Sequence, residues 1–318
     1  MKSDSRRAIA AALIANLGIA VAKFIGYFFT GAASMLAEAI HSLADTSNQG
    51  LLFMGGALSR RRPTRQRPFG YGRERYFWAF MVAVVIFTIG ALFALFEGIG
   101  KIAHPHQLES PGWAVGILVL AAALESWSFR TAIRESNRER RGQSWRAFVL
   151  QAKIPELPVV LLEDLGALIG LLCALIGVGL TLITGDARFD ALGSIAIGVL
   201  LGAIAILLAI RMKSLLIGES ATAETEGAIE QAIEADAAVG RLIHLRTEHI
   251  GPDVLLVAAK VEFQPGMTGE SIAAAIDALE VTLRAAVPIA RLIFIEPDVY
   301  HAQPAAGGGP AGRTTPSA

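Results

Sequence analysis

Charge is scarce in this chain. Of 318 residues only 18% are charged, 53% are hydrophobic, and the mean hydropathy is +0.52. Soluble globular chains carry about a quarter charged residues. The shortfall excludes an ordinary soluble enzyme, and the apolar content excludes intrinsic disorder, which requires low hydrophobicity. Cysteine is almost missing: Cys173 stands alone in an apolar run. One cysteine excludes a disulfide framework and any multi-cysteine zinc site, and it reads as a small core residue. Net charge is missing too, with 28 basic residues against 28 acidic ones, which points to no nucleic-acid partner. There is no repeat of solenoid period. The lack of a His-Glu-x-x-His run counts against a common metalloprotease.

What the chain does have is long apolar stretches. A membrane-spanning helix needs about 20 mainly apolar residues, and six stretches qualify. They run from about Ala8 to Phe29, Ser34 to Leu58, Tyr76 to Ile102, Trp113 to Phe129, Leu157 to Thr184, and Ala191 to Ile210. The first is longer than the ~7–15 apolar residues of a signal peptide, and no small-residue cleavage site separates it from the second, so it is read as a span. Glycines such as Gly166, Gly170, Gly193 and Gly198 let such helices approach closely. Lysine and arginine near span ends set orientation. Lys2, Arg6 and Arg7 precede the first span. Arg60 to Arg75 and Arg130 to Lys153 are arginine-rich, and Arg211 and Lys213 follow the sixth span; the other side has Lys101 and Arg188. Both termini are therefore expected in the cytoplasm. Arginine- and alanine-rich usage makes a bacterial inner membrane the expected location.

From about Met212 the composition changes. Glu219 to Val239 reads as an amphipathic helix, Arg241 to His249 and Val254 to Phe263 as strands, Gly269 to Ala286 as a helix, and Arg291 to Ile295 as a third strand. That order predicts a two-layer α+β module. The domain division is 1–212 for six spans, 213–301 for the cytoplasmic module and 302–318 for a Gly/Pro/Ala-rich disordered tail.

Ionisable residues inside a span cost at least ~2.5–3.5 kcal/mol each at the centre, so each needs a reason. His41 and Asp45 lie four apart in the second span, which puts both on one helix face, about 5–6 Å between Cβ atoms. Asn48 and Gln49 continue near that face. Glu163 and Asp164 are adjacent in the fifth span and point about 100° apart. Imidazole nitrogen and carboxylate oxygen suit zinc, and two carboxylates neutralise a divalent cation in a low-dielectric site. His41, Asp45 and Asp164 are the expected ligands. The bland alternative is a His–Asp pair that joins helices. Asn16, Lys23, Glu97, Glu125, His104, His106, His244 and His249 are weaker candidates, each with an ordinary structural reading.

The run Ala37-Glu38-Ala39-Ile40-His41-Ser42-Leu43-Ala44-Asp45, the run Arg67-Pro68-Phe69-Gly70-Tyr71-Gly72-Arg73-Glu74-Arg75 and Phe96-Glu97-Gly98-Ile99 resemble the cation diffusion facilitator family from about Arg7 to Tyr300. Val159 to Asp164 and His244 to Pro252 are most similar to its zinc transporter 9-like branch. The resemblance implies a homodimeric exporter of a divalent metal, Zn(II) first, driven by inward proton movement. It also implies a ferredoxin-like C-terminal dimerisation module and no organic cofactor. It carries ligand roles onto His41, Asp45 and Asp164. Three positions depart from the pattern. Val160 stands where zinc members have a histidine, which leaves the fourth place open to Glu163, Asn48 or water. Arg67 and Tyr71 stand where some members bind a second metal before span three. Ile243, Ala259 and Phe294 stand at the histidine places of the C-terminal zinc cluster, where only Glu296 keeps a carboxylate.

The implied cycle is alternating access. Metal entering from the cytoplasm displaces protons, because ligands must be deprotonated, and protons compete it off on the far side. Arg73 is placed to pair with Glu219. The rival readings are a Mn(II), Fe(II) or Co(II) transporter of the same architecture, an intramembrane metalloenzyme, and a membrane scaffold.

Overall fold

The computed structural model describes residues 17, 18, 20, 21, 24, 25, 28, 33–103, 111–140 and 142–301. The described positions of the first predicted span are helical; the rest of it lies outside the described residues, as do Asn16, Lys23, His104, His106 and the predicted tail.

Helix α1 (Ala33–Leu58) is followed by α2 (Glu74–Val85). A π-helical turn (Ile86–Leu92) joins α2 to α3 (Phe93–Ala103) without a break in the rod. A π turn holds more residues than an α turn and loosens the carbonyl ladder. Thr88 takes up part of the slack, its Oγ1 donating to Val84 O at 2.8 Å. Next come α4 (Pro111–Glu139), the short α5 (Trp145–Gln151), α6 (Glu156–Thr184) and α7 (Arg188–Ile217). Among the described residues, three helical stretches are long and apolar enough to cross a membrane: Glu74–Ala103, Glu156–Thr184 and Arg188–Ile217.

Several elements differ from expectation. α4 continues ten residues past Phe129 into the arginine-rich segment, because Arg130, Arg134 and Arg138 are good helix formers and need not leave the helix when it leaves lipid. α5 was not expected. Ser144 starts it, its side chain accepting from Ala147 N, which is an N-cap.

The chain divides into two compact units, Met1–Glu219 with Ile250–Asp253, and Ser220–His249 with Val254–Ala318. In the first, the core is formed by Tyr76, Ala79 and Val82 of α2 with Val159 of α6 and Ala205, Leu208 and Leu215 of α7. Glycine allows the closest approaches: a Cβ on Gly198 would lie 2.9 Å from Leu95 N and 3.0 Å from Ala91 O, and one on Gly177 would lie 2.9 Å from Phe189 O. Gly185 ends α6 with φ +75°, a left-handed cap that costs glycine nothing. At the other end of α3, Lys101 Nζ pairs with Glu97 (3.0 Å) and with Asp190 of α7 (2.9 Å).

The second unit holds α8 (Ala223–Glu234), β1 (Val239–Gly251), β2 (Val254–Phe263), α9 (Gly269–Ala286) and β3 (Ala290–Pro297). The sheet order is β1-β2-β3, with β2 and β3 parallel and Ala258 opposite Phe294. α8 is shorter than expected because Thr222 caps it, accepting from Thr225 N. Strand β2 buries alternate residues, Leu255, Val257, Ala259, Val261 and Phe263, against Ile229 and Ile233 of α8 and Leu279 and Leu283 of α9.

Candidate metal centre

α1 presents Asp45 and, three residues on, Asn48, so both share a face. Asn48 is buried, 1% exposed. Its Nδ2 donates to Glu163 Oε1 of α6 at 2.7 Å. A carboxylate only accepts, so the amide must turn its nitrogen there. That leaves Asn48 Oδ1 buried without a hydrogen-bond partner, an oxygen that should carry a cost unless something binds it. Asp45, Asn48 and Glu163 line a cavity of about 20 Å³, closed by Ile86 and Gly90 of the π turn and by Leu201 and Ile204 of α7. That is room for roughly one water-sized species.

Asp164 is also buried, at 8% exposure, but it does not line the cavity. Its Oδ2 accepts from Ser128 Oγ of α4 at 2.8 Å. Adjacent helical residues diverge by about 100°, and that divergence sends Glu163 to α1 and Asp164 to α4. Asp45 stands within electrostatic range of both carboxylates. His41 is helical, one turn before Asp45; its side chain lies outside the described residues. Among the described residues no three His, Cys, Asp or Glu groups converge closely enough to hold a metal. Val160 packs in two apolar clusters and supplies no donor.

The remaining candidates are scattered. Glu97 pairs with Lys101. His244 is exposed, whereas His249 is buried. Ala259 lies in the module core, Phe294 is exposed, and Glu296 pairs with Lys260 at 3.1 Å. Glu219 takes two cations, Lys153 at 2.7 Å and Arg211 at 2.9 Å. Burial pushes its carboxyl up, but hydrogen bonds from Lys153 and Ser214, with the charges of Lys153 and Arg211, outweigh burial and hold it below its ordinary value. Arg73 Nη1 donates to Leu216 O at 3.5 Å.

Sequence reasoning did not single out Ser128 or Gly90. Nothing in spacing separates Ser128 from Ser126 two residues earlier. Gly90 is one of many small residues in apolar runs.

Residues 9–217 match the cation efflux transmembrane domain. The mitochondrial proton-coupled zinc antiporter SLC30A9 of Homo sapiens is 35% identical over 243 residues, 76% of this chain and 43% of that protein. Its Xenopus laevis counterpart is 35% identical over 265 residues, 83% of this chain and 47% of the relative. Metal tolerance protein C4 of Arabidopsis thaliana is 30% identical over 268 residues, 83% of this chain and 58% of the relative. The chain thus spans about half the length of these curated relatives.

Proposed function

Since this chain belongs to the cation diffusion facilitator family, on its zinc transporter 9-like branch, we propose that it exports a divalent metal, Zn(II) first, in exchange for protons. The observation that carries this reading is the cavity between α1 and α6. Two carboxylates and an amide oxygen without a partner meet there inside an apolar bundle. Two buried acids are costly unless a cation or protons compensate them, and alternating between those two compensations is antiport. The proposed ligands are Asp45, Glu163 and Asn48 with His41, joined by Asp164 when the ion is bound. Proton competition on the release side supplies the differential affinity that any ligand-driven change of state requires.

A second reading is transport of Mn(II), Fe(II) or Co(II). The described donors at the cavity are all oxygens, which lowers preference for zinc, and Val160 removes a histidine. An intramembrane metalloenzyme is disfavoured because the matching family and the relatives are transporters. The proposed placing is six spans with both termini cytoplasmic in a bacterial inner membrane, supported by the arginine asymmetry and composition. Homodimer formation through the ferredoxin-like C-terminal module is likewise proposed.

The test is metal flux in proteoliposomes with an imposed proton gradient, Zn(II) against Mn(II). Asp45→Ala and Glu163→Gln are each expected to abolish flux of the preferred ion. Wild-type flux in both variants overturns the assignment.

A further inference from the structure

A hydroxyl in an apolar helix ordinarily bonds back to the carbonyl four residues earlier, since hydrocarbon offers no other acceptor. α4 follows that habit on both sides of Ser128. Ser126 Oγ donates to Ala122 O at 2.6 Å and Thr131 Oγ1 to Trp127 O at 3.1 Å. Ser128 departs from it, reaching across to α6 and donating to Asp164 Oδ2 at 2.8 Å. The carboxylate it holds belongs to the residue next to Glu163, lies within range of Asp45, and is nevertheless kept out of the cavity that Glu163 lines.

We propose that Ser128 is a positioning residue that competes with the transported metal for Asp164. This rests on the cavity being the metal site. In the arrangement described, the hydroxyl holds the carboxylate aside on α4. When a divalent cation enters between Asp45, Asn48 and Glu163, Asp164 swings to another staggered rotamer and gives up Ser128 for the ion. The bond it gives up is a hydrogen bond to an ionised acceptor, of the stronger kind, so ion affinity is reduced by that amount. A site that must release its cargo gains from this handicap, just as conduction needs binding weak enough to leave. The exchange also crosses helices. Ion binding exchanges one polar tie between α4 and α6 for a ligand contact, while Leu118 and Ala121 stay packed on Leu171 and Val178, so occupancy is registered at a helix pair of which only α6 touches the ion.

The test is Zn(II) binding to the full chain in detergent at fixed pH, by isothermal titration, with zinc flux in proteoliposomes beside it. Ser128→Ala is expected to lower the Kd roughly tenfold to a hundredfold, the scale of one hydrogen bond to a charged group. Because related affinities differ mainly in the dissociation rate, KM and kcat for flux should fall together. Ser128→Thr, which keeps the hydroxyl, should return both to wild-type values. Alanine is the best helix former, so the helix is retained. A Kd for Ser128→Ala equal to or above wild type overturns the proposal, as does a lower kcat with unchanged Kd. Asp45→Asn and Glu163→Gln separate the two claims. Wild-type Zn(II) affinity in both removes the metal site itself. Lost affinity in both, with an unchanged Kd in Ser128→Ala, removes only the role of Ser128.

Discussion

Asn48 commits one end of its amide to Glu163 and leaves the other bare beside the cavity. Removing both ends by Asn48→Leu, a substitution of similar size, leaves Glu163 without its buried donor and the ion without one oxygen. Hydrogen bonds to charged groups are worth ~1.5–3 kcal/mol, so metal affinity should fall about tenfold or more in a titration with Zn(II), while the helix stays intact. At this scale the sequence was informative where spacing carries the message. The four-residue interval from His41 to Asp45 and the three-residue interval on to Asn48 put a polar face on an apolar helix, and Glu163 could be suspected simply as an acid in a span. The division of labour between Glu163 and Asp164 was not legible. Which of two neighbouring carboxylates faces α1 depends on how α6 is rotated against both of its neighbours, and no local pattern records that rotation.

Helix contacts here are set by what is small. Gly198 sits against the backbone of Leu95 and Ala91 at a distance that no side chain tolerates, whereas Gly179 in α6 has nothing within 4 Å of where a Cβ would lie. The two glycines should therefore respond oppositely. Gly198→Val forces α3 and α7 apart, and overpacking of this kind costs ~1–3 kcal/mol, so the thermal midpoint in detergent should drop by several degrees. Gly179→Ala should leave it unchanged or raise it, in line with the ~1 kcal/mol helix preference of alanine over glycine. The existence of these helices follows from apolar runs of the right length, and α6 matches its expected bounds within a residue. The π turn had no such signal. Ile86–Leu92 reads as ordinary apolar helix, and its extra residue is imposed by packing on both flanks.

For the molecule as a whole, Glu219 is where three stretches of chain meet, with Lys153 ahead of α6, Arg211 near the end of α7, and its own position just beyond α7. Its folded-state carboxyl is held below the ordinary value near 4.5. The stability it contributes is therefore fully present above that value and is lost as the pH falls through the lower folded value. Glu219→Gln should melt earlier than wild type at pH 7, and the gap between their melting curves in detergent should narrow steadily as the solution is acidified below about 4.5. A gap that widens on acidification contradicts the assignment. The sequence announced a two-part chain through its change of composition and marked Glu219 as an ion-pairing residue, but its pairing with Lys153 and Arg211 depends on how three separate stretches are packed, which no local pattern records.

The π turn also reaches beyond its own seven residues. In a regular α-helix an extra residue would advance everything after it by about 100° around the axis; the wider π turn takes up that advance, so Gly98 and Lys101 still meet Ile195 and Asp190. Deleting one residue between Ile86 and Leu92 would let the rod close as regular α-helix with its outer half still facing α7. The irregularity beside the cavity thus leaves the alignment of the far end of the same helix intact.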